Sequence, residues 1–189
     1  MKLNFTEKEY NSDYGFITYI WGPMLWHFLH IISFNYPVNA DEYNQKNGFD
    51  KGHIQNCYYF FINLLLYILP CSSCRTNLKK NLEALDFKKN KYTIFRGRKN
   101  FSIFIYKLHE TVNEMLEKPS GLSYENVKDF YEHFRAKCTK NKAHNGCTKL
   151  QHGSKTRVKP KVVIYFVPYT KNIKTTKIHK KCKIQCIHN

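Results

Sequence analysis

Leu69-Pro70-Cys71-Ser72-Ser73-Cys74-Arg75 joins a long apolar run, Tyr58 to Leu69, to a basic stretch permissive for helix. Pro70 suits the start of a helix, because a proline in the first turn forfeits no N–H that the helix needs. A helix beginning there puts Cys71 in its first turn and Cys74 one turn later on nearly the same face. Amide donors and the positive dipole end favour a thiolate at such a place, so the pair is suited to thiol–disulfide exchange. Spacing alone leaves half a zinc site or two unrelated buried thiols open as well.

Working outward, the residues on both sides read as helices. Upstream, Lys51 to Leu69 is apolar nearly all round and could form the centre of a bundle, with Cys57 as a buried structural thiol. Before it, Asn39 to Gly52 reads as a polar connection. Trp21-Gly22-Pro23 opens a first helix, apolar on more than one face and ended by Tyr36-Pro37. Trp26 and His30 are four apart and share a face of it. Without further context they read as core residues.

Downstream, Arg75 to Leu85 continues as a short amphipathic helix, and Asp86 to Arg98 is a basic loop with an extended piece at Tyr92-Thr93-Ile94-Phe95. Phe101, Phe104, Ile105, Leu108, Val112, Met115 and Leu116 recur at spacings of three and four, which predicts a helix from Phe101 to Glu117. His109 and Asn113 adjoin that stripe on one face. Pro119-Ser120-Gly121 stops this helix, and Ser123 caps a last one that runs to about Phe134. No β-alternation of weight precedes residue 160. The expectation is an all-α fold: a four-helix bundle plus a short fifth helix, with a basic C-terminal extension.

Charge divides the chain in the same way. Net charge is +17, yet residues 135–189 hold 15 of the 31 Lys and Arg and none of the 14 Asp and Glu. A near-neutral, aromatic front therefore carries a strongly basic tail, which could meet nucleic acid, an anionic membrane, an acidic partner or simply water. The N-terminus lacks the apolar core of a signal peptide, and Tyr58 to Leu69 is shorter than the roughly 20 residues of a membrane span. Seven cysteines without a signal peptide favour thiol chemistry or metal binding over a secreted disulfide scaffold. The expected location is cytoplasmic.

Three motifs, in order, resemble the Erv/ALR family of FAD-linked sulfhydryl oxidases. Trp21-Gly22-Pro23-x-x-Trp26-x-x-x-His30 followed by Tyr36-Pro37 is similar to that family's opening motif, and Pro70-Cys71-x-x-Cys74 to its redox motif. His109-Glu110-Thr111-Val112-Asn113-x-x-Leu116-x-Lys118-Pro119 resembles its flavin signature, His-Asn-x-Val-Asn-x-x-Leu-Gly-Lys-Pro. The resemblance covers residues 17–134, and residues 135–189 form the extension beyond it.

The resemblance implies a bundle that holds FAD noncovalently beside the C-x-x-C. Trp26, His30, His109 and Asn113 would contact the cofactor, and Arg98 and Lys118 would sit near its phosphates. Substrate thiols would reduce Cys71-Cys74, with Cys71 attacked and Cys74 facing the flavin. Electrons would then pass to FAD and to oxygen, giving hydrogen peroxide. Implied partners are protein thiol substrates, a downstream thiol-redox carrier and a second copy of the chain in a homodimer. Two departures stand out. Glu110 replaces the first Asn of the signature. Tyr106 and Ser123 occupy the positions of a structural disulfide frequent in the family. The lysine-rich composition and long extension look more like the versions of large cytoplasmic DNA viruses, which would place the protein in host cytoplasm, a virus factory or the virion.

In the tail, Cys138 and Cys147 flank a short polar loop, Cys182-x-x-x-Cys186 lies near the end, and Val162 to Val167 has strand character. Either cysteine pair could be a shuttle to the C-x-x-C or a structural disulfide. His144, His179 and His188 keep zinc open, although no usual zinc-finger spacing is present. The competing reading of the whole chain is a basic zinc- or nucleic-acid-binding module without redox activity.

Overall fold

The structure, a computed structural model, describes residues 5–135. These form eight helices and, among the described residues, no strand: α1 Glu7–Tyr10, α2 Thr18–Asn35, α3 Ala40–Lys46, α4 His53–Ile68, α5 Ser72–Ala84, α6 Lys91–Ile94, α7 Arg98–Met115 and α8 Tyr124–Glu132. The strand expected at Val162 to Val167 and the four tail cysteines lie outside the described residues.

The long helices α2, α4, α5 and α7 are the expected bundle, with α8 as its short fifth member. α7 touches more of the other helices than any of them and buries Phe101, Ser102, Phe104, Ile105 and Leu108. It packs along α2 and also meets α5, α6 and α8. The central place expected for Lys51 to Leu69 thus belongs to α7. α4 leaves Phe60, Leu64, Tyr67 and Ile68 exposed, and α2 leaves Ile20, Met24, Phe28 and Ile31 exposed. Phe28 meets Phe61 edge-on at 6.2 Å, so the two apolar stripes adjoin. Cys57 faces this outer side of α4 and is exposed rather than buried.

Several local expectations shift for identifiable reasons. α2 starts at Thr18, five residues before Pro23, so the proline lies inside the helix. Pro23 is exposed, where water can take the hydrogen bond it does not make. The polar connection contains α3, because Asn39 caps it by accepting from Asp41 and Glu42 N–H at 3.1 and 3.3 Å. Tyr92 to Phe95 is a helical turn, not an extended piece. Ile94 and Phe95 are buried there, and the Phe95 carbonyl accepts from the Tyr36 hydroxyl at 2.9 Å. Ser123 does cap α8, with Asn126 completing a capping box.

Three helices end by one device. After α3, α5 and α7 the chain turns left-handed at Gly48, Asp86 and Glu117, with φ of 68°, 50° and 56°. The next amide then reaches back five residues: Phe49 to Asn44, Phe87 to Leu82 and Lys118 to Asn113, at 2.8–2.9 Å. This satisfies carbonyls that the helix leaves open. Only Gly48 takes the left-handed turn without steric cost. No helix in the described residues is long and apolar enough to cross a membrane.

Candidate redox and flavin site

Cys71 and Cys74 form a disulfide with Cα atoms 5.2 Å apart. Cys71 is the N-cap of α5, not a first-turn residue, and its sulfur accepts the Cys74 N–H at 3.2 Å. The Ser73 hydroxyl lies 3.2 Å from the same sulfur. Cys74 has a hydroxyl partner too, Thr18 at the first turn of α2, 3.4 Å from its sulfur. Since disulfide sulfur carries no proton, both hydroxyls donate. Two helix starts therefore meet at the disulfide.

A segment preceding α2 lies across the redox turn. Phe16 N–H donates to the Pro70 carbonyl at 2.7 Å, and Arg75 links the Leu69 carbonyl at 2.7 Å to Asp13 at 2.9 Å. Gly15 sits there at φ 75°, where an added Cβ would stand 2.1 Å from the Pro70 oxygen. Cys71 is only 7% exposed beneath this segment, whereas Cys74 is half-buried.

Further along α2, Trp26 and His30 face α7. Trp26 stacks on His109 with ring centroids 4.1 Å apart and planes 8° from parallel. His30 Nε2 lies 3.0 Å from His109 Nδ1, so one of the two nitrogens donates to the other. Tyr131 of α8 stacks on His30 at 5.0 Å, and its hydroxyl lies 3.1 Å from His27 Nδ1. Burial pushes the His30 imidazole down to about 4, helped by repulsion from His109 and His27 and opposed by Glu110. Burial also lowers His109, again opposed by Glu110. Both rings are therefore neutral at pH 7. His30 Nδ1 is buried and has no hydrogen-bond partner among the described residues.

The remaining expected residues divide. Asn113 donates to Glu110 at 2.9 Å, so the residue that departs from the family signature holds the signature's asparagine. Lys118 is exposed just past α7. Arg98 begins α7, so the length of that helix, about 26 Å, separates the two cations. Arg98 does not join Lys118; its Nε donates to the Tyr36 carbonyl at 2.7 Å, and it shares its surroundings with Arg135 and Glu132. Where the family's disulfide would tie α7 to α8, the Tyr106 hydroxyl donates to the Leu122 carbonyl at 2.7 Å.

The cysteines and the aromatic cluster are thus bound to one helix. Thr18 and Trp26 are eight residues apart on α2, about 12 Å along its axis, and His30 is one turn further. Residues 23–135 match the sequence profile of the Erv1 / Alr family. The chain belongs to that family. Over 111 residues it is 30% identical to a probable FAD-linked sulfhydryl oxidase of Acanthamoeba polyphaga mimivirus, a match covering 54% of this chain and 66% of that protein. The residues of this Erv1 / Alr chain suit an elongated dinucleotide. The stacked Trp26 and His109 offer flat faces, His30 Nδ1 offers a buried polar atom still unpaired, and Lys118 supplies a cation.

Sequence reading missed Thr18, Ser73, Tyr131, His27 and the covering segment. Tyr131 follows Tyr124 and Val127 at helical spacing, a detectable signal. Thr18 meets Cys74 across 56 residues, and nothing local marks it.

Proposed function

We propose that this chain is an FAD-linked thiol oxidase that forms disulfide bonds in protein substrates. The observation that carries the reading is a disulfide at the start of α5 that meets, through Thr18, the same helix α2 that brings Trp26 and His30 to His109. Trp26, His30, His109 and Asn113 hold the flavin, with Lys118 toward its phosphates; Arg98 is a tie between α7 and the Tyr36 carbonyl. Bound there, FAD supplies a two-electron acceptor that oxygen regenerates with release of hydrogen peroxide.

The chain's own chemistry is thiol exchange. A substrate thiolate attacks the Cys71 sulfur, the Cys71–Cys74 bond breaks, and the electron pair stays on Cys74. The substrate's second thiolate then displaces Cys71, which leaves as thiolate. Return attack by Cys74 would only restore the starting disulfide. Because Cys71 lies under the Gly15–Phe16 segment, protein substrates reach it by displacing that segment. The exposed stripes on α2 and α4 support a homodimer, since a second copy would cover both. The extension from residue 135 acts in delivery of protein thiols, through its basic charge or through one of its cysteine pairs.

The deciding experiment is the visible spectrum of the purified protein, followed by oxygen uptake with dithiothreitol. A flavin band and oxygen uptake are expected. Cys71→Ser and Cys74→Ser should each abolish uptake while keeping the band. A colourless protein that still takes up no added FAD would overturn the reading in favour of a binding module.

A further inference from the structure

We propose that Thr18 stabilises the Cys74 thiolate, donating its hydroxyl proton to the sulfur on which the electron pair lands when the disulfide opens. The inference deepens the thiol-oxidase reading and rests on it for the direction of the reaction. Its basis is the pairing of each sulfur with a different hydroxyl. Cys71 has Ser73 at 3.2 Å and, as N-cap, the Cys74 amide at 3.2 Å. Cys74 has neither of these, and its contact from another helix is the Thr18 hydroxyl at 3.4 Å.

The asymmetry matters because leaving-group acidity sets the rate of thiol exchange. The N-cap place alone favours a thiolate on Cys71, which would make Cys71 the better leaving group and Cys74 the better target. The Thr18 hydroxyl, the donor that Cys74 has from another helix, reduces that bias. Attack on Cys71 then releases a Cys74 sulfur whose new charge meets a hydroxyl already within reach. The same contact keeps Cys74 ionised afterwards, as the reduced member of the pair that must pass on two electrons. Thr18 is placed for this by its position in the first turn of α2, where its hydroxyl points to the neighbouring helix.

The test uses the full-length protein reduced anaerobically with dithiothreitol, then alkylated with iodoacetamide across a pH series. Peptide mass spectrometry reads each cysteine separately. Thr18→Val and Thr18→Ala should each move the Cys74 midpoint up by about one pH unit, the size expected when a hydrogen bond to a charged atom is lost. The Cys71 midpoint should stay in place, and Thr18→Ser should restore that of Cys74. An unmoved Cys74 midpoint in both variants would overturn the proposal. So would an equal shift at both cysteines, because loosened structure exposes the two alike. Flavin binding and oxygen uptake by the wild-type protein test the oxidase reading separately, since each Thr18 variant is compared with wild type in the same flavin state.

Discussion

His30 Nε2 and His109 Nδ1 are 3.0 Å apart, and this single bond joins α2 to α7 at the centre of the candidate flavin site. It needs at least one neutral ring, because two imidazolium groups would offer only donors.

Stability should therefore fall in acid. The His30 value of about 4 lies below the ordinary 6.5, so between these pH values the unfolded chain takes up a proton that the folded chain refuses. Stability is full above pH 6.5 and is lost as pH falls toward 4, by roughly 3 kcal/mol for this group. The lowered His109 acts in the same sense. Urea unfolding at pH 7 and pH 4 should show the loss, and His30→Phe should flatten the slope across that window.

His109→Ala removes both the stacking partner of Trp26 and the hydrogen-bond partner of His30. Flavin affinity should fall at least tenfold, on the order of 1.4 kcal/mol. Fluorescence titration of the apoprotein with FAD checks this, with wild-type affinity in the variant as the contrary result.

Glu117 holds the left-handed turn after α7 at φ 56°. Glu117→Gly should stabilise the protein by about 1 kcal/mol, because glycine takes that conformation without the Cβ clash. A urea midpoint that does not rise would mean that the glutamate is compensated by contacts of its own.

Phe60→Glu combined with Leu64→Glu places two charges in the exposed stripe of α4. If the proposed homodimer forms across this stripe, sedimentation should show it weakened by tenfold or more, and an unchanged association would remove the stripe from the interface. Flavin content should not change, since neither residue borders His30 or His109.

The tail should matter for protein thiols and not for small ones. Cys182→Ser with Cys186→Ser, or Cys138→Ser with Cys147→Ser, should slow oxidation of a reduced protein and leave dithiothreitol oxidation intact if that pair shuttles electrons. If basic charge docks the substrate instead, raised salt should mimic the loss in the unaltered chain, as exposed charges are screened over about 10 Å at 0.1 M.

How much of this was legible depended on whether the signal was local. The α7 stripe, the Ser123 cap and the helix after Pro70 could be read from neighbouring residues, and the structure has all three. Asn39 with Glu42 is an equally local capping pattern, but the helix it starts is only seven residues long, too short to show an apolar period. Tyr92 to Phe95 carried β propensity that burial against α7 overrode. Apolar periodicity could not say which face of α4 a neighbour would cover. In the site, His30 and His109 were found through the family resemblance, whereas Tyr131 and Thr18 acquire their meaning only when distant helices meet.

The Gly15 contact gives the molecule an internal reporter. Phe16 N–H is hydrogen-bonded to the carbonyl of Pro70, the residue next to Cys71, and the glycine before it leaves no slack between the two segments. Any movement of the turn on opening the disulfide must stretch or release that bond. The Phe16 amide should thus exchange its hydrogen at different rates in the oxidised and reduced protein, so one backbone resonance follows the oxidation state of the cysteines.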